Sequence, residues 1–330
     1  MITMRAVALN PSGKLIDVEL PRPAPTGKDL LVQVRAVSVN PVDAKQKANE
    51  GQLRVLGWDV AGVVEETGSD CTLFRPGDEV YYAGDITRPG GFSEYHLVDE
   101  RLVGRKPQSL DFAQAAVLPL TSLTAWEGLF HRLGVKTDHD EPKAVLIVGA
   151  AGGVGSIATQ LARWAGLTVI GTASRPESTA WVQHLGADHV VNHFEPLLPQ
   201  FEALGLASVE YVFCLNEVDS NWDNMMDVLA PQGKLCTILP PMSPVNMRPL
   251  FDKSAAWCME YMFTRPKYRT SDMEKHHQIL MRVAEKVDAG EIRSTLHERM
   301  APINAANLEK AFAKLRSGRT IGKIALESFE

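Results

Sequence analysis

The amino-acid sequence predicts an α/β protein that combines a β-rich domain with a doubly wound, mainly parallel sheet domain. Three observations lead to this fold class. Strand-like runs dominate residues 1 to about 120, strands and helices alternate through residues 143–263, and the remaining elements are too few for a third domain. A length of 330 residues is sufficient for two domains with substantial cores.

Short apolar runs separated by Pro and Gly clusters predict strands in the first part of the chain. These runs are residues 5–10, 15–20, 30–39, 61–67, 77–82 and 92–98. The pattern changes near Asp111, where residues 111–118 and 122–133 are typical of helices. We therefore expect a compact β domain that is followed by helices leading into the second domain.

The second domain is organised around residues 143–175. An apolar run at 144–148 predicts a strand, followed by a glycine-rich turn at 149–155, a helix at 156–164 and a strand at 168–171. Such a unit binds a dinucleotide pyrophosphate at the helix N-terminus. Gly152 and Gly155 take the second and third positions of G-x-G-x-x-G, and Ala150 replaces the first glycine. The candidate cofactor-binding residues of the turn are Ala150, Ala151, Gly152, Gly153, Val154 and Gly155.

The residues after the second strand indicate which dinucleotide binds. An NAD site places Asp or Glu there to bind the ribose 2′-hydroxyl, whereas an NADP site needs donors and positive charge for the 2′-phosphate. This chain has Ser174 and Arg175 at that point and no acidic residue before Glu177. Arg175 can bind a phosphate through two hydrogen bonds, although an arginine in the first turn of a solvated helix is also common. We predict NADP(H) as the cofactor.

The alternation of strands and helices continues to the end of the second domain. Helices are predicted at residues 176–185 and 222–229, and strands at 189–192, 209–215, 234–239 and, at the edge, 257–263. A helix at 271–289, a strand at 294–297, a helix at 304–317 and a strand at 322–326 follow. We expect this tail to fold back onto the first domain. The predicted domains are residues 1–122 with 264–330, and residues 123–263.

Composition excludes several classes of partner. The formal net charge is -6, so we expect neither nucleic acid nor an anionic membrane to bind. No apolar run has the length of a membrane span, and the first residues do not resemble a secretory signal, so a cytoplasmic location is expected. The four cysteines lack metal-ligand spacing, and Cys214 and Cys236 lie in strand-like runs typical of buried free thiols.

Several stretches together resemble one family over essentially the whole chain. They are VSVNPVDAK (37–45), GWDVAGVV (57–64), GDEVYYAG (77–84), EYHLVDE (94–100), LPLTSLTAWEGLF (118–130), GAAGGVG (149–155), LGADHVVN (185–192) and GKIALE (322–327). The sequence is similar to the medium-chain dehydrogenase/reductase superfamily, and most to zinc-independent quinone oxidoreductases and zinc-type alcohol dehydrogenase-like proteins. The resemblance implies a GroES-like catalytic domain, a Rossmann domain and a homodimer formed through the strand near residues 257–263.

The resemblance also allows the metal sites of the superfamily to be compared position by position. Zinc-dependent members have a cysteine where this chain has Asn40, and a His-Glu pair where it has Trp58-Asp59. Neither Asn nor Trp is a competent zinc ligand, and catalytic zinc needs three protein ligands. The interval 84–94, where relatives carry a four-cysteine structural site, contains no cysteine. We therefore predict no metal.

Without zinc, the simplest reaction is hydride transfer to a quinone or to an α,β-unsaturated carbonyl, a small-molecule substrate. The resemblance places five residues at the substrate cleft without a firm acid or base among them: Asn40, Asp43, Trp58, Tyr81 and Tyr82. A turn is the alternative for Asn40, and core packing is an equally good interpretation for the three aromatic residues. Relatives that reduce enoyl thioesters have a tyrosine where this chain has Ala44-Lys45-Gln46, which weakens that acid role.

Further cofactor contacts are expected from the resemblance and, for Phe213 and Leu215, from their place at the carboxyl edge of a central strand. They are Thr121, Thr124, Phe213, Leu215, Phe263, Thr264 and Lys323. Helix capping is an alternative for the two threonines, and a plain surface charge is an alternative for Lys323. Two functions stay open, an NADPH-dependent reductase and an NADPH-binding sensor or stress protein with little turnover. An alcohol dehydrogenase ranks third because it would need zinc.

Overall fold

The computed structural model describes residues 2–48, 51–138 and 141–329. It confirms the predicted α/β class. The chain divides into two compact units, one made of Met1–Leu123 with Phe263–Glu330 and one made of Thr124–Met262. In the part of the chain that is described, no helix has the length and apolarity to cross a membrane.

The strands follow the chain in this order: β1 Thr3–Leu9, β2 Leu15–Pro21, β3 Asp29–Ser38, β4 Arg54–Val55, β5 Val60–Thr67, β6 Glu79–Tyr82, β7 Tyr95–Asp99, β8 Val103–Arg105, β9 Ala144–Val148, β10 Thr168–Thr172, β11 His189–Val191, β12 Val209–Cys214, β13 Leu229–Thr237, β14 Ala256–Met259, β15 Leu296–Met300 and β16 Lys323–Glu327.

The α-helices are α1 Pro41–Ala44, α2 Phe112–Ala116, α3 Pro119–Trp126, α4 Gly153–Trp164, α5 Pro176–His184, α6 Leu197–Ala203, α7 Val218–Val228, α8 Arg248–Asp252, α9 Thr264–Tyr268, α10 Lys275–Asp288 and α11 Ala305–Arg316. A 3₁₀ turn covers Glu100–Leu102, and a π-helical segment, Glu127–Arg132, directly follows α3.

The first unit contains a three-stranded sheet in the order β2-β1-β4 and a larger sheet in the order β15-β16-β3-β5-β6-β8, with β7 also on β3. Strand β3 is largely apolar and its residues Leu30, Leu31 and Val32 are fully buried. The C-terminal β16 runs antiparallel to β3, with Ala325 opposite Ser38. This pairing brings the C-terminal segment into the first unit and places Lys323 beside the end of β3.

The second unit contains a parallel sheet in the order β11-β10-β9-β12-β13-β14. All five residues of β9 are buried, as its continuous apolar sequence predicts for a strand covered on both faces. The strand order reverses at β9, because β10 lies on one side of it and β12 on the other. Open parallel sheets bind ligands outside the carboxyl ends of their strands at such a reversal.

Some element boundaries differ from the prediction for identifiable reasons. The helix expected at 222–229 begins at Val218, directly after Glu217 in the left-handed region at φ 44°. The edge strand expected at 257–263 is β14, which ends at Met259. The helix expected at 122–133 is instead α3 followed by the π-helical segment. Gly128 of that segment lies against Phe213, since a Cβ added to it would be 2.2 Å from the phenyl ring.

Candidate active site

The turn between β9 and α4 has the geometry of an anion site. Gly149 adopts φ +85°, and its N–H donates to the Thr172 hydroxyl over 3.0 Å. Gly152 follows as the residue before the helix, and its N–H donates to the Gly149 carbonyl over 3.2 Å. The first N–H groups of an α-helix have no partner within the helix, and the helix dipole adds positive potential there. The turn therefore presents donors to an anion at the carboxyl edge of the sheet.

Gly152 and Gly155 are needed in this turn for different reasons. A Cβ on Gly155 would lie 2.3 Å from the Gly149 oxygen and 2.5 Å from the Ala150 Cα, so only glycine allows the helix to approach the turn. A Cβ on Gly152 would find its nearest neighbour at 3.5 Å, and the backbone there is at an ordinary φ of -75°. The chain itself thus has room for a side chain at Gly152. Its glycine leaves open the space in front of the helix that a pyrophosphate needs.

The variant first position also has a structural explanation. Gly149, one residue earlier, provides the left-handed turn that the first glycine of the pattern usually provides. Ala150 is fully buried, and its Cβ lies 2.9 Å from the position of a Cβ added to Gly171 on β10. The methyl group of Ala150 therefore packs against β10, and Gly149 provides the left-handed backbone conformation instead.

Ser174 and Arg175 lie beyond the end of β10, and both are partly exposed. Arg175 precedes α5; its N–H donates to the Ser178 hydroxyl over 3.2 Å, and that hydroxyl donates to the Arg175 carbonyl over 2.9 Å. These bonds fix the backbone at the start of α5. Because β10 is the direct neighbour of β9, Ser174 and Arg175 lie at the same sheet edge as the glycine turn.

Strand β12 contributes to the same edge, partly through a residue that the sequence analysis missed. The Leu215 N–H donates to the Val148 carbonyl over 3.1 Å, whereas the fully buried Phe213 ring packs in the core against Gly128. Asn216 places its Oδ1 2.8 Å from the position of a Cβ on Gly149. Its position just after a predicted strand, at the ligand-binding edge, was a signal that could have identified it.

In the first unit, a buried polar cluster is centred on Asp59. One carboxylate oxygen, Oδ2, accepts from the Ser38 hydroxyl at 2.7 Å, the Asn40 amide at 2.8 Å and the Lys323 ammonium at 3.0 Å. The other oxygen accepts from the Leu120 N–H at 2.8 Å. We call Ser38, Asn40, Asp43, Asp59 and Lys323 the Asp59 cluster. These four hydrogen bonds offset the free-energy cost of burying the Asp59 carboxylate.

The position of Lys323 corrects the sequence-based expectation that it contacts the cofactor. Its side chain is 4% exposed, and its ammonium donates to the Val39 carbonyl at 2.8 Å, the Asn40 Oδ1 at 2.6 Å and the Asp59 Oδ2 at 3.0 Å. These three bonds use all three N–H donors of a lysine. Lys323 is therefore the cation of the Asp59 cluster, and its charge is balanced there.

Asp43, the remaining member of the cluster, lies at the start of α1. Its Oδ2 accepts from the Asn40 N–H over 2.7 Å, so the Asn-Pro turn expected from the sequence is the beginning of a short helix. Burial raises the pKa of Asp43 from 3.8 to about 7, and the Asp59 charge acts in the same direction. The Asn40 N–H and Lys323 oppose this rise. Asp43 is thus a buried carboxyl group that titrates near neutral pH.

Asp43→Asn is expected to change how stability depends on pH. The folded chain holds the Asp43 proton up to a pKa of about 7, whereas the unfolded chain releases it near 3.8. The stabilising contribution of Asp43 is therefore complete below pH 3.8 and is lost as the pH rises through about 7. We expect the wild-type and variant free energies of unfolding to change relative to each other by on the order of 4 kcal/mol across that range.

Urea unfolding at closely spaced pH values measures this difference. Asp252→Asn is a matched control because Asp252 is a half-exposed carboxylate in a surface ion pair with Arg248. Parallel pH profiles for the wild type and Asp43→Asn would show that Asp43 does not titrate in this range.

The three aromatic residues expected at the cleft are fully buried, as core packing predicts. The Tyr81 hydroxyl donates to the Leu280 carbonyl over 2.6 Å, and the Trp58 indole N–H donates to the Asp85 carbonyl over 3.1 Å. The Tyr82 hydroxyl lies 3.0 Å from His96 Nδ1. His96 Nε2 lies 2.9 Å from the Pro89 carbonyl, so it carries the proton and Nδ1 accepts from Tyr82. Each polar atom thus has a partner in the core.

The remaining residues named from the resemblance lie in both units. Thr121 and Thr124 are buried inside α3, so the helix-capping alternative for them is wrong. The Thr121 hydroxyl lies within hydrogen-bonding distance of the Val117 and Leu118 carbonyls, 3.2 and 3.0 Å away. Phe263 packs edge-on against Trp58 with ring centroids 6.2 Å apart, and Thr264 begins α9. Phe263 and Thr264 belong to the first unit, whereas the glycine turn belongs to the second.

The donors near Asn40 and Trp58 do not suit a zinc ion. The Asn40 amide is engaged with Lys323 and Asp59, and Trp58 supplies an indole N–H, which is a donor only. The ammonium of Lys323 already occupies the carboxylate that a metal would need. Among residues 2–48, 51–138 and 141–329, no group of three or more His, Cys, Asp or Glu side chains is arranged to hold a metal ion.

Two family matches overlap these two sites. Residues 26–108 match the alcohol dehydrogenase GroES-like domain, and residues 153–276 match the zinc-binding dehydrogenase family. A zinc-type alcohol dehydrogenase-like protein of Staphylococcus aureus (strain COL) is 41% identical over 319 residues, which is 95% of each chain. The chain belongs to the medium-chain dehydrogenase/reductase superfamily. The GroES-like and Rossmann-like domains implied by the sequence resemblance are thereby confirmed.

Solved members of this superfamily have the same fold over almost their whole length. A candidate zinc-dependent alcohol dehydrogenase from Rhizobium etli CFN 42 is 48% identical, with a TM-score of 0.96 over 100% of this chain and 99% of that one. A mycobacterial protein in complex with NADPH is 25% identical, with a TM-score of 0.83 over 98% and 99% of the two chains. The quinone oxidoreductase of Pongo abelii is 36% identical over 201 residues, 58% of this chain and 59% of that one. The protein is an oxidoreductase of the medium-chain type.

Proposed function

We propose that this protein is an NADPH-dependent, zinc-independent oxidoreductase that transfers a hydride to a quinone or an α,β-unsaturated carbonyl. The observation that carries the proposal is the ammonium of Lys323 bound to Asp59 beside Asn40, where zinc-dependent relatives are expected to hold metal. Oxidation of a simple alcohol would need a Lewis acid at that point, whereas a quinone or enone is already electrophilic. The similarity to a quinone oxidoreductase supports the same class of substrate.

The proposed cofactor site is the carboxyl edge of the parallel sheet. Bound NADPH would supply the hydride. The N–H groups at the start of α4 would bind its pyrophosphate in the space that Gly152 leaves open. Ser174 and Arg175 would bind the 2′-phosphate, because a guanidinium forms two parallel hydrogen bonds to a phosphate. The similarity to a mycobacterial protein that binds NADPH agrees with this choice.

Arg175→Ala is expected to weaken NADPH binding by roughly 10- to 100-fold, since a hydrogen bond to a charged group is worth about 1.5–3 kcal/mol. NADH lacks the 2′-phosphate, so its affinity should change much less. Titration of both nucleotides by fluorescence measures the two effects. Arg163→Ala is the control, because Arg163 is an exposed arginine in the last turn of α4 that binds Asp188. Equal losses for NADPH and NADH would contradict the assignment of Arg175.

The activity itself is tested by following NADPH oxidation with an ortho-quinone, a conjugated enone and a simple aldehyde, with NADH and a chelator as controls. We expect turnover of the quinone or enone with NADPH, unchanged by the chelator. Loss of activity on chelation would overturn zinc independence. Turnover of the aldehyde alone would indicate a different substrate class.

One observation favours the alternative, an NADPH-binding sensor or stress protein. Tyr81 and Tyr82 use their hydroxyls in the core, and the proposal therefore assigns no side chain as proton donor. A quinone can take its protons from solvent, so the reductase remains the better candidate. Tight NADPH binding without turnover of any acceptor would favour the sensor.

The proposal includes the organisation of the protein. Residues 1–122 with 264–330 would form the catalytic domain, and residues 123–263 the NADP-binding domain. Two chains would form a homodimer through the edge strand β14, where Met259 at its end and Tyr261 just beyond it are 50% and 43% exposed. Four free cysteines fit a reducing compartment such as the cytoplasm. A monomeric mass in light scattering would defeat the dimer.

A further inference from the structure

Two cysteines in the second unit lie side by side on neighbouring strands. Cys236 of β13 and Cys258 of β14 are register partners in the parallel sheet. Neighbouring strands are about 4.8 Å apart, and in-register residues point to the same face. Disulfides join residues whose Cα atoms are about 4.4–6.8 Å apart, so this spacing suits a disulfide. The two thiols are hydrogen-bonded to each other and are free cysteines in the structure.

The two thiols differ in environment. Cys236 is fully buried, as its strand-like sequence context predicts, whereas Cys258 is partly exposed on the edge strand. The hydrogen bond from Cys236, together with the charges of Arg132 and Lys234, lowers the pKa of Cys258. The same hydrogen bond and burial raise the pKa of Cys236. Within a single chain, Cys258 is therefore the more exposed thiol and Cys236 the protected one.

The π-helical segment packs on β13 and β14 and supplies charged groups near the thiol pair. Its Arg132 binds Glu260 over 2.7 Å, and Glu127 is hydrogen-bonded to the same carboxyl group. Desolvation and the nearby Glu127 raise the pKa of Glu260 to about 8, so this carboxyl group is mainly neutral at neutral pH. Desolvation and Glu260 oppose the lowering of the Cys258 pKa, and the hydrogen bond from Cys236 with the charges of Arg132 and Lys234 outweighs them, which favours a thiolate.

We infer that Cys236 and Cys258 form a thiol pair that reacts with hydroperoxides and closes to a reversible disulfide between β13 and β14. The Cys258 thiolate attacks the peroxide oxygen, the O–O bond breaks, and water or an alcohol leaves after protonation. The Cys236 sulfur then attacks the resulting sulfenic acid. Its S–O bond breaks, the S–S bond forms, and the hydroxide leaves as water with the Cys236 proton. The two thiols lose two electrons in total, and these reduce one hydroperoxide. An external dithiol reverses the change.

The test is peroxide titration of the full-length protein, followed by alkylation and digestion with trypsin under denaturing conditions. Cleavage after Lys234 and Lys253 places the cysteines in different peptides, residues 235–253 and 254–267. We expect a disulfide-linked pair of these peptides in most molecules, with a mass loss of two hydrogens that dithiothreitol reverses. Alkylation of the native protein should be at least ~10-fold faster at Cys258 than at Cys71 or Cys214, because thiolate and exposure decide reactivity.

Cysteine-to-serine variants distinguish a specific reaction of Cys236 and Cys258 from oxidation of cysteines in general. Cys258→Ser should abolish the linked peptides, and Cys236→Ser should leave Cys258 as a sulfenic or more oxidised acid. Cys71→Ser and Cys214→Ser should leave the link intact. Burial raises the pKa of Cys71 and that of Cys214, the latter to about 12. Oxidation of Cys258 in the wild type without a link to Cys236, or faster reaction at Cys71, would overturn the inference. Neither result depends on NADPH turnover, so the proposed reductase activity is tested separately.

Discussion

Gly155→Ala is expected to destabilise the second unit severely, whereas Gly152→Ala is expected to fold normally and bind NADPH poorly. At Gly155 a methyl group would lie 2.3 Å from the Gly149 oxygen and 2.5 Å from the Ala150 Cα, which are backbone atoms that cannot rotate away. Overpacking of this kind costs about 1–3 kcal/mol, and more where backbone must shift. At Gly152 the nearest atom would be 3.5 Å away.

The two alanine variants form their own matched controls, because they place the same methyl group three residues apart in one turn. Thermal unfolding should show a clear loss of stability for Gly155→Ala and almost none for Gly152→Ala. Nucleotide titration should show a loss of NADPH affinity of at least about tenfold for Gly152→Ala, equivalent to about 1.4 kcal/mol. Unchanged affinity in a well-folded Gly152→Ala protein would mean that the pyrophosphate does not occupy this space.

Lys323→Met is expected to lower the free energy of unfolding by about 3–5 kcal/mol, because it leaves a buried carboxylate without its counter-charge. The Lys323 and Asp59 side chains are 4% and 0% exposed. The loss should appear as a fall in the melting temperature of the first unit, or as failure of that unit to fold. Ser38 and Asn40 would still donate to Asp59, so the carboxylate would keep hydrogen bonds but lose its cation.

Two further variants make this prediction specific. Lys314→Met removes a lysine from an exposed pair with Glu298, and such pairs are worth about 0–1 kcal/mol. Lys323→Met combined with Asp59→Asn removes both buried charges and should recover part of the stability lost in the single variant. If Lys323→Met were as mild as Lys314→Met, the ion pair of the Asp59 cluster would not be buried in solution.

The Asp59 cluster bears on whether the term zinc-type, used for similar proteins, describes this chain. Relatives described as zinc-type share the sequence pattern over 95% of this chain, yet the cation at this point is a lysine from β16. A lysine ammonium is a fixed point charge, which can hold Asn40 and Asp59 in one orientation without offering an open coordination position.

The fold class, the parallel sheet and the nucleotide turn could be predicted from the sequence because each depends on local patterns. The apolar run of β9 specifies a strand buried on both faces, and the spacing of Gly152 and Gly155 follows from backbone approach within a few residues. Zinc independence, which depends on residue type at Asn40 and Trp58, stays a prediction.

Only the tertiary structure decided which side chains meet across long stretches of sequence. Lys323 reaches Asp59 because β16 pairs with β3, and no local pattern distinguishes it from a surface lysine. Cys236 and Cys258 become neighbours through the register of two parallel strands, although their sequence spacing suggested no relation. Local propensity acts over a few residues, whereas charge balance and thiol contact depend on chain pairing. The sequence therefore determined the fold and the nucleotide turn, and the packing of distant strands decided the buried cation and the thiol pair.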